Sequence, residues 1–124
     1  MSADNHVYWV LEAGVKEGKL DELKSLVSEM VQTTKESEPG ALHYEFSLSE
    51  DGTRCHIHER YADSEATLTH LKNFGENFAG RFMDALEIKR FNVYGNPDEI
   101  ATKALSKLGV AFMPSLDGFV RGHS

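Results

Sequence analysis

Glu59 and His70 are the two side chains whose types and spacing invite chemistry. Read as a hairpin, residues 42–61 put Glu59 on a face otherwise made of Leu42, Tyr44, Phe46, Leu48, Cys55, Ile57 and Tyr61, because successive side chains of a strand point to opposite sides. A carboxylate there is desolvated, which raises its pKa unless a donor pairs with it. His70 is a candidate donor. It precedes Phe74 by one turn at the edge of an apolar stripe of Leu71, Phe74, Phe78 and Phe82, so its ring can reach the sheet. A carboxylate that orients a histidine fixes its tautomer and raises its basicity, which makes His70 a candidate general base and Glu59 its orienting partner. The same spacing suits a buried pair that pins helix to sheet.

Around this pair the residues Trp9, Tyr44, Tyr61, Phe74 and Phe78 fall on the same layer. An aromatic-lined cavity with few polar groups is how small flat molecules are held, and these five are the candidate substrate-binding residues. Aromatics at core spacing are also the ordinary content of a core. A second constellation, His56-x-His58 with Glu45 across the hairpin and His43 nearby, lies on the opposite face. Three such ligands could hold zinc or iron. Arg60 beside them would repel a cation, so the expectation is no metal and a polar sheet face lining a dimer interior or a rim.

These residues need a frame, and the chain supplies one of alternating elements. His6 to Val15 is rich in β-branched and aromatic residues and apolar on both faces, the pattern of a strand covered by helices on one side and by a partner subunit on the other. Gly18 opens a helix with Leu20, Leu23, Leu26, Val27, Met30 and Val31 at helical spacing, which stops before Pro39. Gly40 supplies a positive φ. Leu42 to Ser49 and Arg54 to Ala62 pair through a two-residue turn at Asp51-Gly52, with Tyr44 facing Glu59, Glu45 facing His58, Phe46 facing Ile57 and Glu50 facing Thr53. Asp63 caps a second helix that Gly75 and Gly80 kink or break. Leu86 to Gly95 is the fourth strand, and Asn96 caps a short helix that begins at Pro97 and ends at Gly109. The apolar remainder to Ser124 packs on the domain or on a partner. His6 and His123 lie near the ends and carry no signal.

The combination Glu38-Pro39-Gly40, Tyr44, Glu59-Arg60-Tyr61, Ala66 and His70 resembles the antibiotic biosynthesis monooxygenase family over residues 7–95. The resemblance and the element order imply one α+β domain over residues 1–124. Residues 6–95 form a ferredoxin-like βαββαβ core with an antiparallel sheet, and residues 96–124 an extra C-terminal helix and tail. The resemblance further implies a homodimer whose sheets stack into an α/β barrel, and a small aromatic or quinone-like ligand between sheet and helices. The polyketide-oxidising members use an asparagine and a tryptophan where this chain has Ile57 and Tyr61, so their residue set does not transfer. The haem-degrading members need a histidine late in the second helix, and Phe74 to Asp84 contains none.

Composition narrows the function classes. The 124 residues carry 20 acidic against 13 basic side chains, a formal charge of -7, which argues against a nucleic-acid partner. No apolar run is long enough to span a bilayer. A single cysteine, Cys55, and an N-terminus without a signal pattern point to the cytoplasm. No glycine-rich phosphate cradle is present, so no cofactor is expected. The expected activity is a cofactor-independent monooxygenase acting on an electron-rich phenol or quinol. A proton-transfer isomerase and a non-catalytic ligand-binding dimer are the alternatives.

Overall fold

A computed structural model describes residues 5–121. The elements run β1 (Val7–Val15), α1 (Leu20–Ser37), β2 (Ala41–Leu48), β3 (Arg54–Tyr61), α2 (Ser64–Asn77), α3 (Ala79–Ala85), β4 (Leu86–Gly95), α4 (Glu99–Ser106) and β5 (Ala111–Met113). The five strands form one sheet in the order β2-β3-β1-β4-β5, and its first four are the ferredoxin-like core that the sequence predicts. The sheet is mixed, not wholly antiparallel: β5 runs parallel to β4, with Val93 opposite Phe112. A parallel return needs a crossover, and α4 supplies it. Residues 122–124, the end of the expected tail, lie outside the described residues, and His123 with them.

Alternation in β1 decides which face is core. Val7, Trp9, Leu11 and Ala13 are buried, while Tyr8, Val10, Glu12 and Gly14 are only half-buried. The buried set meets Leu23, Leu26 and Met30 of α1 and Phe82 of α3, so the helices cover one face of the sheet only. On the other face Tyr8 stacks on Tyr94 with ring centroids 5.5 Å apart, and Arg60 lies 4.0 Å over the Tyr8 ring.

The hairpin has the expected register, with Tyr44 opposite Glu59, Glu45 opposite His58 and Phe46 opposite Ile57. Its turn is longer than expected. Gly52 N–H donates to Ser49 C=O, and Asp51 accepts from the Ser49 and Thr53 hydroxyls and from Thr53 N–H. Those bonds take up the donors that a two-residue turn would use, and Glu50 does not pair with Thr53. A bulge between Ala41 and His43 turns Leu42 out of the core face, where it is 50% exposed. Leu48, at the hairpin end, is exposed as well.

Two local readings are corrected at the helix boundaries. Gly40 does not adopt positive φ. A Cβ there would fall 2.6 Å from Cβ of Ala66, so the glycine is required by close approach of the chain to α2. The cap of α4 is Asp98, which accepts from Ala101 N–H, and Asn96 and Pro97 precede it. Asp63 caps α2 as expected, accepting from Ala66 N–H at 2.8 Å. The break between α2 and α3 falls at Phe78, between the two glycines that forecast it.

Candidate active site

Three elements converge on His70. The end of α1 places Glu38, whose backbone N–H still bonds to Thr34 C=O. The chain then turns, with Ala41 N–H donating to Glu38 C=O and Ala62 N–H to Gly40 C=O. The Gly40–Ala66 contact lies one helical turn before His70, and residues four apart share a face, so the turn that holds Gly40 also brings Glu38 to the imidazole. β3 brings Glu59 from the other side.

The result is a histidine held between two carboxylates. Nδ1 of His70 lies 3.0 Å from Glu38 Oε1, and Nε2 lies 3.3 Å from Glu59 Oε1. All three side chains are buried. Outer groups fix the carboxylates: Asn73 Nδ2 donates to Glu38 Oε2 at 3.2 Å, and the Tyr61 hydroxyl donates to Glu59 Oε1 at 2.6 Å. Burial alone would lower the pKa of His70, but the hydrogen bonds and charges of Glu38 and Glu59 outweigh it and hold the imidazole up at about 9. A pKa raised that far favours the imidazolium near neutral pH, with Nδ1 hydrogen-bonded to Glu38 and Nε2 facing Glu59 at ion-pair distance. Burial first, and then the charge of Glu59, push Tyr44 and Tyr61 far above the ordinary phenol range, so both remain protonated donors.

Glu59 and His70 open onto a cavity of 280 Å³. Of the five expected binding residues, Trp9, Tyr44 and Phe74 line it. Tyr61 and Phe78 do not. Tyr61 is fully buried and spends its hydroxyl on Glu59, and Phe78 is turned into the core with the Arg81 guanidinium 5.6 Å from its ring centroid. Phe46, Phe82, Phe91 and Met30 add to the apolar wall, as does Leu108 from the segment after α4. Glu59 Oε1 makes both contacts named above. Its Oε2 takes no hydrogen bond among the described residues and is not sealed off, which makes it the oxygen that a ligand would meet. The indole N–H of Trp9 is buried and finds no acceptor among the described residues.

Sequence reasoning paired Glu59 with His70 but missed Glu38 and Asn73. The signal for Asn73 was its place three residues after His70 on one helix face. Glu38 stands in the Glu38-Pro39-Gly40 run, where the proline marks only the end of the helix and gives no sign of a partner 32 residues on. On the other face, His43 bonds to Glu45 on its own strand at 2.9 Å and stacks on His58. Among the described residues no three His, Cys, Asp or Glu side chains are grouped to hold a metal ion.

With this geometry in hand, comparison with known proteins is decisive for the family. The family model for antibiotic biosynthesis monooxygenases matches residues 6–75. The chain belongs to the antibiotic biosynthesis monooxygenase family. No protein of curated function matches the sequence. Among solved structures it is similar to MupZ from Pseudomonas fluorescens, at 26% identity and a TM-score of 0.82, covering 95% of this chain and 96% of that one. A conserved protein from Methanosarcina mazei aligns at 21% identity and a TM-score of 0.63, covering 72% of this chain and 90% of that one. A protein from Bacteroides thetaiotaomicron, assigned by name to the antibiotic biosynthesis monooxygenases, aligns at 18% identity and 0.62, covering 72% and 85%. These last two show the shared fold, whereas the MupZ match extends over nearly the whole chain, C-terminal segment included.

Proposed function

We propose that this member of the family is a cofactor-independent monooxygenase acting on a small electron-rich phenol or quinol, with Glu59 as the group that takes the hydroxyl proton. The observation that carries the proposal is Glu59 itself: a carboxylate with one unengaged oxygen in an otherwise aromatic and aliphatic cavity, held beside an imidazolium. Glu59 must hold the proton while the substrate is a phenolate, because two anions side by side are costly in an apolar cavity, and His70, already protonated, cannot take it instead. The phenolate is then the reductant. It gives one electron to dioxygen, the phenoxyl radical and superoxide combine to a peroxide anion, that anion takes the proton back from Glu59 to become a hydroperoxide, and loss of water leaves a quinone; one dioxygen is consumed and one water formed per phenol. His70 faces Glu59 through Nε2–H and orients the carboxylate that takes the proton. The reading further takes the protein to act as a homodimer whose open sheet faces stack.

A second reading, a proton-transfer isomerase, is favoured by one feature: His70 and Glu59 put an acid and a base against the same cavity, which a two-step proton shift requires. An oxygen electrode and a panel of hydroquinones test the two. Oxygen uptake that depends on Glu59 supports the monooxygenase, turnover in the absence of oxygen supports the isomerase, and loss of neither activity in Glu59→Gln sinks both.

A further inference from the structure

Glu38 belongs to two places at once. Its Oε1 meets His70 in the buried triad, yet it does not line the 280 Å³ cavity. It lines instead a second depression of 230 Å³, formed with Pro39, Gly40, Asp63, Glu65 and Thr69 between the end of α1 and the start of α2. Glu59 borders the first space only. The row Glu59, His70, Glu38 therefore spans the wall between an apolar cavity and a polar opening, with contacts of 3.3 and 3.0 Å. We infer that Glu38 is the proton outlet of the site: when a substrate hydroxyl gives its proton to Glu59, His70 releases its Nδ1 proton through Glu38 into the second depression.

The charges balance. With two carboxylates and one imidazolium the triad sums to minus one. Protonation of Glu59 removes one of the two charges that hold the imidazolium, so His70 passes its Nδ1–H to Glu38 Oε1 and keeps the proton on Nε2. Glu38 hands that proton to solvent and returns to the anion. The triad again sums to minus one, the substrate is an anion, and one proton has left by a route that never crosses the apolar cavity. No bond other than O–H and N–H is made or broken. The other polar groups on the triad are the Tyr61 hydroxyl, which donates to Glu59, and the Asn73 amide, which donates to Glu38; the Tyr44 ring packs edge-on to His70, and burial keeps both phenols protonated. Asp63 and Glu65 border the outlet and favour a departing cation.

This inference rests on Glu59 as proton acceptor, and one experiment separates the two claims. 4-Nitrophenol, which cannot readily be oxidised, is mixed with the purified protein without oxygen at a pH below its own ionisation. Absorbance reads bound phenolate, and a weakly buffered indicator dye reads protons released. The wild type should form phenolate and release about one proton for each. Glu38→Gln keeps the shape but leaves His70 only one carboxylate, so it should form phenolate with little or no release, the proton being retained on His70. Glu38→Asp should recover release. Equal release from wild type and Glu38→Gln, with phenolate formed in both, overturns the outlet and leaves the role of Glu59 standing. No phenolate in the wild type overturns both. Should Glu38→Gln not fold, as circular dichroism would report, Asn73→Ala serves in its place. It removes only the hydrogen bond to Glu38 Oε2 and should make release lag phenolate formation in stopped flow; synchronous signals overturn the outlet.

Discussion

Gly40 and Ala66 approach so closely that a methyl on Gly40 would stand 2.6 Å from Cβ of Ala66. This contact sets the distance between the end of α1 and α2, and with it the meeting of Glu38 and His70. Gly40→Ala should therefore lower stability by about 1–3 kcal/mol, the usual cost of overpacking. It should also loosen the Glu38–His70 pair. Ala66→Gly in the same chain should recover most of the loss, and a double-mutant cycle by urea unfolding measures it. Additive costs for the two substitutions would count against the contact.

The raised pKa of His70 makes stability fall with rising pH. A group whose folded pKa lies above its unfolded value contributes fully below the unfolded value and loses that contribution as pH climbs through the folded one. For His70 the window runs from 6.5 to about 9. The stake is on the order of 3 kcal/mol, from 1.36 kcal/mol for each pKa unit. Thermal unfolding should show Tm dropping across that interval in the wild type and a flatter profile in His70→Gln. Parallel profiles in the two proteins would mean that the imidazole is not held between charges.

Glu59→Gln should cut oxygen uptake with hydroquinones by about a hundredfold or more, the scale of a lost general base. The protein should stay folded, since Tyr61 can still donate to the amide oxygen. His70→Ala should cost both activity and stability, because it leaves two buried carboxylates facing each other. If Glu59→Gln keeps the wild-type rate, the base lies elsewhere.

The open sheet face carries Tyr8, Val10 and Tyr94, all half-buried. Stacking two such faces would bury them, and the protein should sediment as a dimer at micromolar concentration. Val10→Asp puts a charge at the centre of that face and should give a monomer. A wild type that sediments as a monomer would exclude the stacked arrangement.

Much of this frame was legible because it is written in short-range patterns. Alternation fixed the core face of β3, with Cys55, Ile57, Glu59 and Tyr61 all buried, and Asp51-Gly52 centred the hairpin, so its register was right although the turn is wider. Asp63 declared the start of α2 because a cap is a local bond. The pairing of Glu59 with His70 could be read because it needs only one strand face and one helix face. Other features depend on distant parts of the chain. Glu38 meets His70 across 32 residues, and only the packing of Gly40 on Ala66 brings them together. The bulge at Leu42 has no sequence mark, since a strict alternation would have kept that leucine inside. β5 has three residues, too few for a period to show, and its place beside β4 is set by α4.

Trp9 is the only tryptophan of the chain. It is buried against Tyr61 and Phe91, directly opposite Glu59 in the strand pairing, and lines the cavity. Its fluorescence therefore comes from one known spot a strand away from the carboxylate, without an added label and without background from elsewhere in the molecule. Emission from so enclosed an indole should be blue-shifted, and any molecule that fills the space beside it should quench or displace that signal. The fold has in effect placed its own optical gauge in the chamber, and a library of compounds can be sorted by it before any reaction is known.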